Sequence, residues 1–284
     1  MNAQALRLEI QKLKTLPPLP QNRQRMLAAV NDPDVNIEWL GELLAECPSL
    51  TARLIGLANS AYFGRAGKIH TLKEAIVHLG LNMVKNMTTA VLLSESLKPG
   101  QCPAFQTERY WLNALLNAQL SQQLAFASKD QEMPEPAVAY TGGLLMQIGI
   151  LALVCAQPDL MREILLEAGQ SPASIRQMLQ DHFETDQYQI GRWLILRWQL
   201  PEIYAKAVGA QSLALEQLNN KSKLALLLLV ARRLSPIILD EEENENQIHQ
   251  LSPLLNLPSP TIETIVAKLR KQKQLLQALA RQFH

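Results

Sequence analysis

The stretch from Pro48 to Leu93, PSLTARLIGLANSAYFGRAGKIHTLKEAIVHLGLNMVKNMTTAVLL, constrains this chain more than any other, because its apolar residues recur at helical spacing between readable ends. Leu50, Leu54, Leu57 and Ala61 share one face at i, i+4, i+7 and i+11, ending at Tyr62-Phe63-Gly64. A polar turn from Arg65 to His70 follows. Thr71-Leu72-Lys73-Glu74 is a capping box, in which hydroxyl and carboxylate accept from free amides at a helix start. Leu72, Ala75, Ile76 and Leu79 continue that helix, and Gly80 suits a left-handed stop. Asn82 is the expected cap of a third helix with Val84, Met87, Thr88, Val91 and Leu92 inside.

The rest of the chain repeats this pattern. Residues 3–14 predict an amphipathic helix, and Pro17-Pro18-Leu19-Pro20 an extended connector into a helix at Gln21–Val30. Ile37, Leu40, Leu43 and Leu44 mark the next helix. A break at Leu97–Pro103 divides an N-terminal helical lobe, 1–98, from a larger helical core, 103–284. Phe105–Phe126 predicts a long helix burying Leu112, Leu115, Leu116, Gln119, Leu120 and Leu124. Ala137–Cys155, apolar almost all round, is the expected central buried helix. Shorter helices follow after Pro158, Ser171-Pro172, Gln187 and Pro201, then Lys221–Leu234. A loop of acids spans Asp240–Glu245. Ser259-Pro260 opens the last helix, with Ile262, Ile265, Val266, Leu269, Leu276 and Leu279 as its stripe. Alternation of period two is absent, so the fold class is all-α.

Composition narrows the function classes. Net charge is +1 over 284 residues, which supplies no overall pull toward nucleic acid or an anionic membrane. Cys47, Cys102 and Cys155 are odd in number and widely spaced, forming neither a disulfide framework nor a metal knuckle. Arg7, Glu9, Lys12 and Lys14 interrupt any N-terminal leader, and the run Gly142–Ala156 is too short to span a bilayer. The expectation is a soluble, cytoplasmic protein without a membrane span.

Several blocks carry a resemblance: "LPPLP" at Leu16–Pro20, "LTARLIGLANSAYFG" at Leu50–Gly64 and "IHTLKEAIVHLG" at Ile69–Gly80. In these the chain resembles the HDOD family, a branch of the HD metal-dependent phosphohydrolase superfamily, most strongly over 16–212. The resemblance implies a multi-helix bacterial signalling module, a small helical lobe packed on an HD-like core, acting through contacts with other signalling proteins.

HD enzymes hold divalent metals on histidines and aspartates from several helices, and the metals activate water against a phosphoester. The resemblance maps those positions onto residues of another chemistry. The family's Trp-x-His stretch looks like Trp111-Leu112-Asn113. The stretch with the adjacent His-Asp pair looks like Gly143-Leu144-Leu145-Met146-Gln147-Ile148-Gly149. A further histidine block looks like Gln187-Tyr188-Gln189-Ile190-Gly191, and later paired histidines fall near Gln211-Ser212. A thioether is too soft for Mg²⁺ or Mn²⁺, and neutral amides lack the charge that offsets dehydration. Asn113, Met146, Gln147, Gln187 and Gln211 therefore imply a vestigial metal site and no catalytic residue, metal or cofactor. The old cleft remains a candidate site for a small ligand or nucleotide.

Three further features stand beside this reading. Tyr62, Phe63 and Arg65 form a candidate protein-docking surface, or else cover a helix end with Asn59 bonding local backbone. Lys268, Lys271 and Lys273 form a basic patch on the final helix that suits phosphates or, equally, a helix dipole. Asp181, His182, Glu184 and Asp186 are the residues a divergent phosphohydrolase has left as ligands. The apolar helices at 221–234 and 262–279 serve either internal packing or a homodimer face. The reading that follows is a non-catalytic regulatory protein; the alternatives are a divergent metal-dependent phosphodiesterase and nucleic-acid binding by the last helix.

Overall fold

A computed structural model describes residues 21–32, 34–64, 69–100, 102–168, 172–218, 222–240 and 245–283. Among them every regular element is helical. The expectations for residues 3–14, Pro17–Pro20 and Arg65 lie outside the described residues.

Helices α1 (Gln21–Val30), α2 (Ile37–Ala45), α3 (Pro48–Ala58), α4 (Leu72–Leu79) and α5 (Leu81–Ser96) form the first layer. Asn36 caps α2, its side chain accepting from the Trp39 amide at 2.8 Å. Leu40, Leu43 and Leu44 are buried, while Ile37 stays exposed at the first turn. Pro48 opens α3, where its missing N–H costs nothing. Ala61 leaves the face of Leu50, Leu54 and Leu57, because the chain tightens into a 3₁₀ turn at Ala61–Phe63.

The capping box forms with a shift. Thr71 Oγ1 accepts from the Glu74 amide at 3.1 Å, and Glu74 Oε2 accepts from the His70 amide at 2.8 Å, one residue before the cap. Gly80, at φ +82°, both ends α4 and begins α5. Asn82 is therefore inside α5 rather than its cap, since no residue is left between the two helices.

The spine of the core is α6 (Thr107–Ala127), whose face Leu112, Leu115, Leu116, Gln119, Leu120 and Leu124 is buried. The expected single helix over 137–155 is two, α7 (Pro136–Leu145) and α8 (Ile148–Ala156), broken at Met146-Gln147. Next come α9 (Pro158–Ala168), α10 (Pro172–Phe183), α11 (Gln187–Arg197), α12 (Glu202–Gly209) and the short α13 (Leu215–Leu218). Just beyond the break the chain makes a close backbone contact. A Cβ at Gly149 would sit 1.9 Å from the Gln187 carbonyl oxygen, and one at Gly191 would lie 3.4 Å from the Gly149 nitrogen. Two glycines let α8 and α11 pack with their backbones in contact.

The chain closes with α14 (Lys223–Leu239), α15 (Glu245–Leu251) and α16 (Ser259–Ala280). The apolar pattern ends at Leu234, yet α14 runs on through Pro236. A proline inside a helix strips its i−4 carbonyl of a partner. Here Ser235 Oγ donates to the Arg232 oxygen at 3.2 Å, and Gln247 Nε2 to the Arg233 oxygen at 3.1 Å. Ser259 is the first residue of α16 rather than its cap; its hydroxyl meets His249 Nδ1 and Ser252 Oγ at 3.0 Å each.

The main buried apolar cluster runs from Met26 to Phe283, with a smaller one of Ala58, Ile69 and Ala75, and Thr141 Oγ1 donates to Asn86 Oδ1 at 3.2 Å where α7 meets α5. The stripes of α14 and α16 are both buried within the chain. By length and composition the 21-residue stretch Pro136–Ala156 is apolar enough to cross a membrane, longer than the run read from sequence, and nearly all of it is buried inside the fold.

Candidate functional site

Asn113 projects from α6, Met146 and Gln147 form the α7–α8 turn, Gln187 begins α11, and Gln211 sits in a 3₁₀ turn after α12. All five are buried. Asn113, Gln147 and Gln211 turn amide groups on the protein, while Gln211 Oε1 has no hydrogen-bond partner among the described residues. Asn113 Nδ2 donates to Gln147 Oε1 at 3.1 Å, while Asn117 Nδ2 donates to both Asn113 Oδ1 and the Asn113 carbonyl at 2.8 Å. Gln211 Nε2 donates to the Ala207 and Ala225 carbonyls at 3.1 and 2.9 Å. Met146 is wholly enclosed. These residues do not fit a divalent ion: the amide oxygens of Asn113 and Gln147 already accept hydrogen bonds, those of Gln187 and Gln211 carry no charge to offset its dehydration, and the thioether offers no hard donor. Among the described residues no three His, Cys, Asp or Glu side chains gather in a group able to hold a metal.

Asp186, one of the alternative ligands, has structural work instead. It caps α11, its Oδ1 accepting from the Tyr188 and Gln189 amides at 3.0 Å and from Ser212 Oγ at 2.7 Å. Its Oδ2 pairs with Arg176 Nε at 3.2 Å. Asp181 accepts from Gln177 Nε2 at 2.8 Å on the exposed side of α10.

Asn113 and Gln147 lie on the wall of a cavity of about 780 Å³; Met146, Gln187 and Gln211 do not line it. Around it stand Tyr110, Tyr188, Arg109, Arg176, Arg232 and Arg233, with Asp240 at the rim. Arg109 pairs with Asp240 at 2.8 Å. Arg232 Nη1 donates to Tyr188 Oη at 2.8 Å, and its guanidinium lies 5.0 Å from that ring's centre, in cation–π range. Burial raises the Tyr110 hydroxyl far above its ordinary pKa, and that hydroxyl has no hydrogen-bond partner among the described residues.

None of this arginine set was singled out from sequence, because the residues come from α6, α10 and α14. One signal was there to be found. Arg232-Arg233 interrupts an apolar helix just before Pro236, and two adjacent cations in a core helix need somewhere polar to point.

The remaining candidates are placed as follows. Tyr62 and Phe63 are half-buried against the core, meeting edge to face at 4.8 Å, and burial pushes the Tyr62 hydroxyl up to about 12. Asn59 staples the turn, bonding the Ile69 amide and carbonyl at 3.0 and 2.7 Å. Lys268 and Lys271 are exposed on α16. Lys273 Nζ donates to the Leu239 carbonyl at 2.8 Å, and Arg270 to that of Ile237 at 3.1 Å. Those two cations cap the carbonyl end of α14, a neighbouring helix rather than their own. Burial raises the Cys155 thiol to about 12 and lifts Cys102, which suits neither to act as a nucleophile.

Comparison with known proteins gives a consistent result. The profile of the HDOD domain matches residues 16–213. An uncharacterised protein of Treponema pallidum is 27% identical over 194 residues, 67% of this chain and 36% of that protein, so the chain spans about a third of the length of the relative it matches. A presumed phosphohydrolase from Shewanella amazonensis has a TM-score of 0.80 at 23% identity, over 99% of both chains. A presumed signal transduction protein from Marinobacter aquaeolei has a TM-score of 0.79 at 23% identity, over 98% of this chain and 61% of its own. At such identities these likenesses establish the fold.

Proposed function

The chain belongs to the HDOD domain family, and on that footing we propose that it is a non-catalytic regulatory module of a signalling system, acting through contacts with other proteins. The segments 1–98 and 103–284 act as two lobes of one module, and the cleft where a hydrolase keeps its metals takes a small ligand in their place. The observation that carries this reading is the Asn113–Gln147 amide pair. Two positions that align with metal ligands are hydrogen-bonded to each other, an arrangement that supports a packed, metal-free seat. A metal there would have to break that bond and recruit anionic donors from elsewhere.

The test is elemental analysis of the purified chain, followed by turnover assays on bis(p-nitrophenyl) phosphate and cyclic dinucleotides with Mn²⁺, Fe²⁺ or Mg²⁺. The expected result is substoichiometric metal and hydrolysis at background. Stoichiometric iron or manganese, or metal-dependent turnover, overturns the reading in favour of the phosphodiesterase alternative. Affinity capture from the native host tests the other half, with a signalling protein expected among the specifically retained species.

A further inference from the structure

We propose that the cavity beside Asn113 and Gln147 binds a phosphorylated small molecule of nucleotide size, with Arg232 and Arg233 taking the phosphate. The inference deepens the reading of this cleft as a ligand site and rests on it.

The charge balance of the walls is the first ground. Of the four arginines lining the cavity, Arg109 is paired with Asp240 and Arg176 with Asp186. Arg232 and Arg233 face no carboxylate within ion-pair distance among the described residues. Arg232 is half-buried and held by Tyr188, so its guanidinium is ordered before any ligand arrives. An ordered, partly desolvated guanidinium fork matches phosphate oxygens and loses little freedom on binding them.

The backbone around the cavity points the same way. Gln106 and Arg109, at the amino end of the 21-residue helix α6, line it, and no side chain caps that end. The positive end of a long helix favours an anion. The carbonyl end of α14, which also reaches the cavity, would oppose one. Arg270 and Lys273 cover its Ile237 and Leu239 oxygens and so offset that opposition.

On the inner wall, Gln147 supplies a third, independent sign. Its Oε1 is spent on Asn113, while its Nε2 has no hydrogen-bond partner among the described residues although the side chain is 95% buried. Gln147 lines the cavity, so an acceptor entering it can take that free amide donor. The volume of about 780 Å³ falls within the range of small-molecule sites.

The test is isothermal titration of the full chain with pyrophosphate, GMP and cyclic di-GMP at low ionic strength. Saturable binding of at least one of the nucleotides is expected, weakening as salt is added. Arg232→Gln should reduce affinity about tenfold, and Arg233→Gln several-fold; Lys73→Gln, on the far exposed face of α4, should leave it unchanged. Because Arg233 is exposed, its variant folds even if Arg232→Gln does not. No heat with any probe at millimolar concentration, or wild-type affinity in Arg233→Gln and in folded Arg232→Gln, overturns the proposal. Binding accompanied by metal-dependent turnover keeps this site and removes the non-catalytic reading. Neither binding nor turnover does the reverse.

Discussion

Phe283 stacks on Trp111, with ring centroids 5.0 Å apart and planes 28° from parallel. Arg53, from α3, lies 6.0 Å from the Phe283 ring and donates to the neighbouring Gln282 carbonyl at 2.7 Å. The last described turn of the chain thus joins the first layer to the spine helix. Phe283→Ala should cost about 3 kcal/mol, for lost burial and stacking in a site the chain end cannot refill. Urea denaturation at constant m-value checks this; a loss under about 0.5 kcal/mol would mean the clamp is ornamental.

Asp186 is nearly inaccessible and holds α10, α11 and the turn after α12 together through four polar contacts. Breaking a buried pair by removing one partner leaves the rest uncompensated. Asp186→Ala should therefore lower stability by about 3 kcal/mol or more. Asp186→Asn keeps an acceptor for the helix amides and should lose visibly less. Equal losses in thermal denaturation would show that the cap is irrelevant and only the charge matters.

Gly149 and Gly142 sit one helix apart and should respond differently to the same change. At Gly149 an added methyl meets backbone, the Gln187 carbonyl oxygen, whereas at Gly142 it meets the Leu224 and Leu228 side-chain ends at 3.2 Å and beyond. Side chains yield and backbone does not. Gly149→Ala should cost about 3 kcal/mol and Gly142→Ala about 1 kcal/mol or less. Similar melting temperatures for the two variants would contradict the close helix crossing.

Glu74 carries a pH signature. The His70 backbone amide, chiefly, holds its carboxyl below the ordinary carboxylate range, with Thr71 assisting. A carboxylate with a depressed folded pKa adds stability that is present above the unfolded pKa and lost as pH falls through the folded value. Glu74→Gln should be the less stable protein at neutral pH, and the two stability curves should converge on acidification. A gap that stays constant down to strongly acidic pH rules this out.

Much of the helical layout was legible in the residues. The face of α6, the stripe of α16 and the box at Thr71 follow from periodicity and capping chemistry, which act between neighbours in the chain. Where the reading went astray, a remote partner took part. The turn at Met146-Gln147 lies beside a contact that only folding creates, Gly149 against the Gln187 carbonyl oxygen. α14 runs past Pro236 with the Arg232 carbonyl that the proline releases taken by its neighbour Ser235, and the next carbonyl, of Arg233, taken by the remote Gln247.

The same division separates the two halves of the site. By itself the sequence determined that Asn113, Met146, Gln147, Gln187 and Gln211 cannot grip a hard divalent ion, because donor chemistry belongs to the side chain and needs no neighbour. Only the tertiary structure decided that two of them line a cavity while three are packed away. It alone brought Arg109, Arg176, Arg232 and Arg233 to that cavity and left two of them without a carboxylate among the described residues. Charge balance in a cleft is a sum over groups far apart in the chain, and distance in space is what sets its terms.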